Sequence, residues 1–503
     1  MLDNLKYFAK HSLVYSISSV AAKAMGVVLL PLYSSYLTIS DFGVLGIIDA
    51  TLLIAVEFLN LGQGQALVML NNSDEYKDKK KTMFFTIFIF SVFVGAIFII
   101  LGEALVPFVY KYFKRADEFY YYLRLSIYII VLRVVNSLFL NKIRADERSV
   151  FYSVISLIKL FLTIILAVYF VAFVKTGVVG VLYSYIIAEG VNTILLLPSM
   201  FKLMSIRFEK KFITLSIKFG VPLIFGSLAM MLLNVSDRYI LKLYTNYATV
   251  GLYDLGYRVA GVINMFIIMP FGLALMPIAY KVYGTEGDKR FYSKLMTYLT
   301  FVLVWAGLAL SVFSREIIKL FALNPTYWDA YKVVPVVVLS YVFFGMRWVA
   351  SLGMFLTRNT KQVAITTTLA SLLNIGLNFW LIPIFGMMAA AYSTLISFVL
   401  LHFITNYFSN KFYKIDFENV KLIVLLSLGI LLYIVSLPLD DTSLIIRYMI
   451  KLVISISFPL ILFVFGFYDV IELQSIKGFY KKWKNPGDWK NNLKLEIKRP
   501  NKK

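Results

Sequence analysis

The chain has 503 residues, of which 60% are hydrophobic and 16% charged, and its net charge is +22. It contains no cysteine, which excludes disulfide bonds, thiolate metal sites and a cysteine nucleophile. The basic excess is spread over short loops and the C-terminal segment, so we expect anionic membrane lipids, and not a nucleic acid, as its partner.

About fourteen apolar segments follow one another, each long enough to cross a hydrocarbon core of about 30 Å as a helix. They lie at 11–33, 42–70, 82–110, 119–141, 150–174, 178–200, 214–243, 251–281, 291–313, 331–357, 362–383, 387–409, 420–438 and 444–467. No stretch between them is long enough for a soluble domain. The sequence therefore predicts an all-α integral membrane protein.

Lysine and arginine alternate in density from one loop to the next. Twenty-two lie at the N-terminus and in the even-numbered gaps, and ten more lie in the C-terminal tail, whereas the odd-numbered gaps and their flanks hold eight. Basic loops stay on the cytoplasmic side of a membrane. We therefore expect both termini to be cytoplasmic and the number of spans to be even.

Three patterns recur after 208 or 209 residues. They are Tyr36-x6-Gly43 with Tyr244-x6-Gly251, Gly64-x-Ala66 with Gly272-x-Ala274, and Gly177-x2-Gly180-x2-Tyr183-Ser184 with Gly386-x2-Ala389-x2-Tyr392-Ser393. Spans 1–6 thus correspond to spans 7–12. Because six is even, both copies share one orientation and are related by an axis along the membrane normal. The predicted units are two six-helix lobes at 1–213 and 214–410, two extra helices within 411–467, and a basic cytoplasmic tail at 468–503.

Four basic residues fall in the middle of predicted spans: Lys23, Arg133, Lys159 and Arg347. A charge at the bilayer centre costs at least about 2.5–3.5 kcal/mol, so such groups face protein or water. Serine, threonine or tyrosine recurs at helical spacing around them. This pattern predicts a water-filled cationic cavity that binds an anionic substrate. The alternative interpretation is that the polar side chains join helices to one another.

A second group of charges lies in the outer thirds of spans 2, 7 and 8: Asp49, Asp237, Arg238, Asp254 and Arg258. They are interpreted either as structural ion pairs or as an outer gate whose pairs break when the cavity opens. Asp49 and Glu57 are also the candidates for coupling to an ion, H⁺ or Na⁺, because a membrane acid can carry either.

Several catalytic patterns are missing from the sequence. It has no G-x-x-x-x-G-K-[ST] phosphate loop, no H-E-x-x-H and no G-x-S-x-G. Glu103 and Glu189 are lone acids, interpreted as boundary or packing residues, and the two histidines lie too far apart in sequence to predict a metal site. We therefore expect no enzyme activity, no cofactor and no metal.

The order of several loose patterns resembles a known family. They are Lys218-Phe-Gly-Val-Pro222 followed by Asn234, Asp237-Arg238 and Gly251-x-Tyr253; Pro270-x6-Pro277; and Asn374-x3-Asn378-x4-Pro383-x2-Gly386-x2-Ala389-Ala390-Ala391. With the arrangement of two sets of six spans plus two, the whole chain resembles the polysaccharide transporter family of the multidrug/oligosaccharidyl-lipid/polysaccharide flippase superfamily.

The resemblance implies a function. Members of this family move undecaprenyl-pyrophosphate-linked oligosaccharides from the inner to the outer leaflet of the bacterial cytoplasmic membrane, for lipopolysaccharide O antigen or capsule synthesis, beside polysaccharide polymerases. Two alternatives remain open, a flippase for the lipid-linked peptidoglycan precursor and a cation-coupled multidrug exporter. The exporters of the superfamily typically carry an acid in their first helix, where this chain has Lys23.

Overall fold

The structure is a computed structural model that describes residues 26–113, 118–441, 443–470, 472–474 and 478. Within these ranges the secondary structure is helical and includes no β-strand. The helices are α1 (Leu30–Tyr36), α2 (Ile39–Asn60), α3 (Gln63–Asn71), α4 (Lys80–Phe113), α5 (Glu118–Ala145), α6 (Ser149–Ala167), α7 (Gly177–Leu203), α8 (Lys210–Tyr244), α9 (Tyr247–Ala260), α10 (Met269–Val282), α11 (Asp288–Val312), α12 (Ser314–Phe321), α13 (Val334–Ala350), α14 (Leu352–Leu356), α15 (Thr360–Phe412), α16 (Asn419–Ser436) and α17 (Leu444–Val464).

Twelve helical segments of the described chain are long and apolar enough to cross a membrane. One of them, α15, has 53 residues and would be about 80 Å long if it were straight, far more than a bilayer core of about 30 Å. Its backbone leaves the helical conformation at Gly386, where φ is 58° and ψ is −135°. It therefore supplies two spans. The described chain thus supplies thirteen of the predicted fourteen spans, and the first, at 11–33, lies mostly outside the described residues.

The predicted span 42–70 is broken into α2 and α3. Leu61 and Gly62 both adopt left-handed backbone conformations there, with φ of 48° and 66°. A Cβ atom on Gly62 would lie 2.4 Å from the carbonyl oxygen of Gly220 in α8, so the close approach of the two backbones requires glycine. Because of this break, α3 packs against α8.

The internal repeat is visible in backbone geometry. Gly177, where α7 begins, and Gly386, where α15 is interrupted, occupy equivalent positions of the repeated pattern. Both have a left-handed φ, 60° and 58°, and a Cβ on either would meet no atom within 4 Å. Glycine is therefore required at each for its conformation and not for space. The two lobes share the same chain reversal, as the repeat predicts, while the lobe boundaries themselves stay predictions.

The last two helices, α16 and α17, pack against α11 of the second lobe. They expose apolar side chains such as Ile423, Leu431, Val453 and Phe463 on the face that would meet lipid. A buried ion-pair cluster fastens α17 to α12: Glu316 lies 3.0 Å from Lys451 Nζ and 2.9 Å from Arg447 Nε. This pairing lets two basic residues sit within an otherwise apolar span.

Candidate functional site

Two of the predicted mid-span bases meet in the first lobe. Arg133 comes from the middle of α5 and Lys159 from the middle of α6, and both reach towards Glu189 on α7. Lys159 Nζ lies 2.5 Å and Arg133 Nε lies 3.3 Å from Glu189 Oε1. The carboxylate is buried, at 1% exposed, whereas the two basic side chains are 33% and 28% exposed. With all three groups ionised, the triad keeps one net positive charge.

Neighbouring polar groups hold the carboxylate in place. Asn136 on α5 donates its side-chain amide to Glu189 Oε2 at 2.8 Å and to the Glu189 backbone carbonyl at 3.0 Å. Thr193, one turn further along α7, donates to Asn136 Oδ1 at 2.9 Å. The guanidinium of Arg133 lies over the ring of Tyr185, 5.1 Å from its centroid, which favours a cation at this position.

The triad opens on a cavity of about 250 Å³ between α5, α6 and α7. Tyr152, Ser156, Thr163 and Asn192 contribute the rest of its polar lining. Two partly exposed bases beside hydroxyl and amide groups are suited to binding an oxyanion, because they supply both charge and hydrogen-bond donors.

Arg347 lies in the other lobe, away from the triad. It is buried on α13, and its Nη2 donates to Thr367 Oγ1 of α15 at 3.1 Å. Its Nε has no hydrogen-bond partner, and no carboxylate of the described chain lies within 4.0 Å of its guanidinium. Lys23, the fourth predicted base, lies outside the described residues. The structure thus brings Arg133 and Lys159 together and places Arg347 separately.

The five charges predicted near the outer ends of the spans form one connected cluster. Arg238 lies 2.8 Å from Asp254 and 3.1 Å from Asp237, and Arg258 lies 2.6 Å from Asp254 and 2.9 Å from Asp49. Asp49 is on α2 of the first lobe, whereas the other four are on α8 and α9 of the second. Among the described members of this cluster, the pair Asp49–Arg258 is therefore the one that joins the lobes.

The crossing of α2 and α9 that carries this pair is unusually close. A Cβ on Gly43 would lie 1.8 Å from the carbonyl oxygen of Tyr247, and one on Gly251 would lie 2.3 Å from that of Ile39. Gly43 and Gly251 are 208 residues apart, and Asp49 and Arg258 are 209 apart. Gly43 thus faces its own repeat equivalent, whereas Arg258 lies one residue beyond Tyr257, the equivalent of Asp49 at the offset of 208. The approach of Gly43 to Gly251 places the axis relating the lobes near this crossing.

A second contact between the lobes lies at the other end of α2. Glu57, the predicted coupling acid, accepts a hydrogen bond of 2.6 Å from Ser227 Oγ of α8. One turn beyond it, the backbones of Gly62 and Gly220 touch. Between the two contacts, Thr51 Oγ1 and Tyr239 OH are 2.7 Å apart. The lobes therefore meet along the whole length of α2.

Glu189 is not the boundary or packing residue that its isolation in the sequence suggested, because it is the buried acid that pairs with Arg133 and Lys159. The signal was the position of Glu189 in the middle of the span 178–200, since an acid at that depth needs a partner. Asn136 and Asn192, which complete the site, were not singled out either. No group of three or more acids and histidines in the described ranges is placed to hold a metal ion.

The described helices form an all-α membrane fold that several solved structures share. The chain is similar to the structure of a lipid II flippase, MurJ, in an inward closed conformation, with a TM-score of 0.69 and 16% identity over 91% of this chain and 100% of the other. It is also similar to an inward-facing MATE family multidrug resistance transporter of the MOP superfamily, with a TM-score of 0.64 and 13% identity over 83% and 99% of the two chains. An outward-facing MATE transporter gives a TM-score of 0.58, at 13% identity over 83% and 96%.

The sequence identifies the family of the chain. Residues 8–282 match the model of a family described as "Polysaccharide biosynthesis protein". The match covers more than half of the chain, and the protein therefore belongs to this family, as the sequence patterns indicated. A search of curated protein sequences gave no match.

Proposed function

We propose that the protein is a flippase that moves an undecaprenyl-pyrophosphate-linked oligosaccharide from the inner to the outer leaflet of the bacterial cytoplasmic membrane. Both termini would be cytoplasmic, and the product would feed the synthesis of a surface polysaccharide such as O antigen or capsule. Membership of a polysaccharide biosynthesis family and a fold shared with a flippase support this proposal. It is a transport function, not an enzymatic one.

The observation that carries the proposal is the pair Arg133 and Lys159. Both lie near the middle of membrane-spanning helices and line the cavity, and about a third of each side chain is exposed. A pyrophosphate cannot cross hydrocarbon without groups that replace its water, because desolvating its charge costs many kcal/mol. Two bases at this depth can replace the water around the pyrophosphate. Their positive charge disfavours binding of a cationic substrate, such as a typical exported drug.

The cavity is too small for the whole substrate, so different parts of the substrate would lie in different places. About 250 Å³ is less than the roughly 300–1,000 Å³ of a pocket for a drug-sized ligand, so it suits a phosphate group and not an oligosaccharide. The sugars would occupy space that opens when the lobes separate, and the prenyl chain would stay in lipid. Alternating access would provide the space for the sugars when the ion pair Asp49–Arg258 breaks and the lobes separate on one side of the membrane. The coupling ion would be H⁺ or Na⁺, bound at Glu57 or Asp49.

The test is complementation of a strain that lacks the gene, with surface polysaccharide as the readout. Replacement of Arg133 and Lys159 together by Ala should abolish export at an unchanged protein level, and Lys159→Arg should retain part of it. Arg124→Ala is the matched control, because Arg124 pairs with Glu103 at an exposed position. Full export by the double Ala variant would contradict the proposal.

A flippase for the lipid-linked peptidoglycan precursor is the second candidate, favoured by the fold likeness to MurJ. It predicts a different phenotype. Loss of such a flippase stops cell-wall synthesis, whereas loss of an oligosaccharide flippase removes the surface glycan from viable cells. Glycosyltransferase and polymerase genes beside this one would favour the oligosaccharide, and cell-division genes the precursor.

A further inference from the structure

Glu189 occupies the place in the first-lobe cavity that an anionic ligand would take. Its Oε1 atom lies 2.5 Å from Lys159 Nζ and 3.3 Å from Arg133 Nε, so one oxygen faces both bases. The carboxylate is a built-in anion that neutralises one of the two positive charges. An incoming phosphate has to compete with it for the same two groups.

Some polar atoms beside these ion pairs have no hydrogen-bond partner. Asn192, one turn from Glu189 on α7, is 2% exposed and lines the cavity, and neither its amide nitrogen nor its carbonyl oxygen has a partner. A buried amide without partners costs free energy, and a ligand oxygen in the cavity would satisfy its donor.

The charged and ionisable groups that face Glu189 come from all the helices packed on it. Arg133 comes from α5, Lys159 and Tyr152 from α6, and Tyr185 from its own helix. Helix α2, which also packs on α7, contributes Asp49, whose charge acts on Tyr185. Among the described residues that line the cavity, Glu189 is thus the one acid.

We propose that Glu189 is a proton-dependent counter-ion, which releases Arg133 and Lys159 to bind a phosphate or pyrophosphate group when it is protonated. This inference rests on the proposed function, and it adds a protonated group at the anion site to the coupling candidates Glu57 and Asp49. The proton comes from the water outside the site and is held on the Glu189 carboxyl group while the anion is bound. No covalent bond is formed or broken.

The sign of the pH effect follows from the charges. The triad has one net positive charge while Glu189 is ionised and two when it is protonated. Lowering the pH should therefore raise the affinity for an anion, and by linkage anion binding should take up a proton. The ionisation of pyrophosphate itself acts in the opposite direction, so the pH series needs a probe of constant charge. Sulfate, a tetrahedral dianion at each pH used, is such a probe.

The experiment measures sulfate binding to the purified full-length protein in detergent at two pH values. The wild type should bind sulfate more tightly at about pH 5.5 than at about pH 8, by about tenfold or more. Glu189→Gln is uncharged at both pH values and should bind with the tighter affinity at both. Glu103→Gln is the matched control, because Glu103 pairs with Arg124 outside the cavity, and it should behave like the wild type.

A second measurement needs no variant and so does not depend on the folding of Glu189→Gln. Sulfate added to the wild-type protein in weakly buffered solution should cause an uptake of protons, up to one per site. Farnesyl pyrophosphate and inorganic pyrophosphate then distinguish the source of the anion. Tighter binding of the prenylated probe identifies a lipid head group as the ligand, and equal binding identifies a free phosphate; both support the anion site.

The results separate this inference from the proposed function. If the wild type binds sulfate but Glu189→Gln keeps the same pH dependence, or if no proton is taken up, the role of Glu189 is wrong while the cationic site stands. If no anion binds to any variant at either pH, the anion site fails together with the counter-ion. Export lost in the double variant of Arg133 and Lys159 tests the transport function independently.

Discussion

At the scale of single residues, Arg347 is a buried base of the second lobe with no carboxylate close to it in the described chain. Its guanidinium is buried, hydrogen-bonded to Thr367 and without a carboxylate within 4.0 Å among the described residues. A buried charge without a partner destabilises a fold, because its desolvation is not compensated. A residue retained at such a cost fits a functional cation better than a structural one.

We therefore expect Arg347→Met to separate stability from function. Removal of the unpaired charge should leave the thermal unfolding midpoint in detergent unchanged or raise it, while surface polysaccharide falls to background. Thr367→Val removes the hydrogen-bonding partner but not the charge and should keep most of the export. A lower unfolding midpoint with normal export would assign Arg347 a structural role instead.

Sequence patterns predict basic side chains in the middle of the spans from their cost in a membrane, but not the partners of these side chains. The depth of Arg133 and Lys159 follows from hydropathy alone. That both bind Glu189 depends on how α5, α6 and α7 are rotated and packed, which one sequence does not determine. The pairing of Asp49 with Arg258 was accessible, because the sequence places both at a similar depth in the outer thirds of spans 2 and 8.

At the scale of helices, the crossing of α2 and α9 depends on glycine. Gly43→Ala would place a methyl group where a Cβ lies 1.8 Å from the Tyr247 carbonyl oxygen, so the helices must move apart. We expect a loss of about 1–3 kcal/mol in stability, typical of overpacking. Gly190→Ala is the matched control, because a Cβ there meets nothing within 4 Å.

The thermal unfolding midpoint of the two variants in one detergent provides the measurement. Gly190→Ala should be neutral or slightly stabilising, since alanine is favoured over glycine within a helix by up to about 1 kcal/mol. Equal midpoints for both variants would show that the α2–α9 crossing tolerates an extra methyl group, contrary to the close packing described here.

Helix positions were largely predictable, whereas their interruptions were not. Spans of about 20 apolar residues can be recognised in the sequence by their length and hydropathy. The break at Leu61–Gly62 is different, because it is stabilised by contact of Gly62 with Gly220 on a helix some 160 residues later. The reversal at Gly386 was anticipated from the repeat, since Gly177 begins a helix at the equivalent position.

The connection after the last helix is held by charges. Asp469 accepts hydrogen bonds from Lys294 at 2.5 Å and from Lys421 at 2.8 Å, and these two contacts lower the pKa of its carboxyl group to about 2. A carboxyl group with a lowered pKa stabilises the docked state above its unfolded pKa of about 3.9. That contribution is lost as the pH falls through about 2.

We expect the described residues 467–470, 472 and 473 to be docked at every pH above about 4 and to detach as the pH falls towards 2. Hydrogen exchange of their amides, corrected for the intrinsic rate at each pH, measures this. Asp469→Asn should raise the exchange at neutral pH. Asp416→Asn is the control, because Asp416 pairs with Lys414 at a largely exposed position. Unchanged protection in Asp469→Asn would mean that apolar packing alone holds the segment.

At the scale of the whole molecule, the lobes are closed against each other at both ends of α2. One end has the Gly43–Gly251 approach and the pair Asp49–Arg258, and the other has the hydrogen bond between Ser227 and Glu57. Alternating access requires one end to separate while the other stays closed. Single hydrogen bonds and partly exposed ion pairs suit such contacts, because water largely replaces them when they break.

Cross-linking the lobes should therefore stop transport, and the absence of cysteine from the sequence makes every introduced thiol unique. The pairs Thr51→Cys with Tyr239→Cys and Glu57→Cys with Ser227→Cys place thiols on both sides of the interface, where the native side chains are 2.7 Å and 2.6 Å apart. A short bifunctional methanethiosulfonate should reduce export to background in either variant, and a reducing agent should restore it.

The control for the cross-links joins two helices of one lobe. Glu103→Cys with Arg124→Cys connects α4 and α5, whose native side chains are 2.8 Å apart, and its cross-link should leave export unchanged because neither lobe is tied to the other. The same cysteine variants without the cross-linking reagent show the effect of losing the native side chains, in particular that of Glu57. If both inter-lobe pairs are fully cross-linked and export continues, the lobes do not separate during transport, and the substrate passes by a route that leaves the interface along α2 closed.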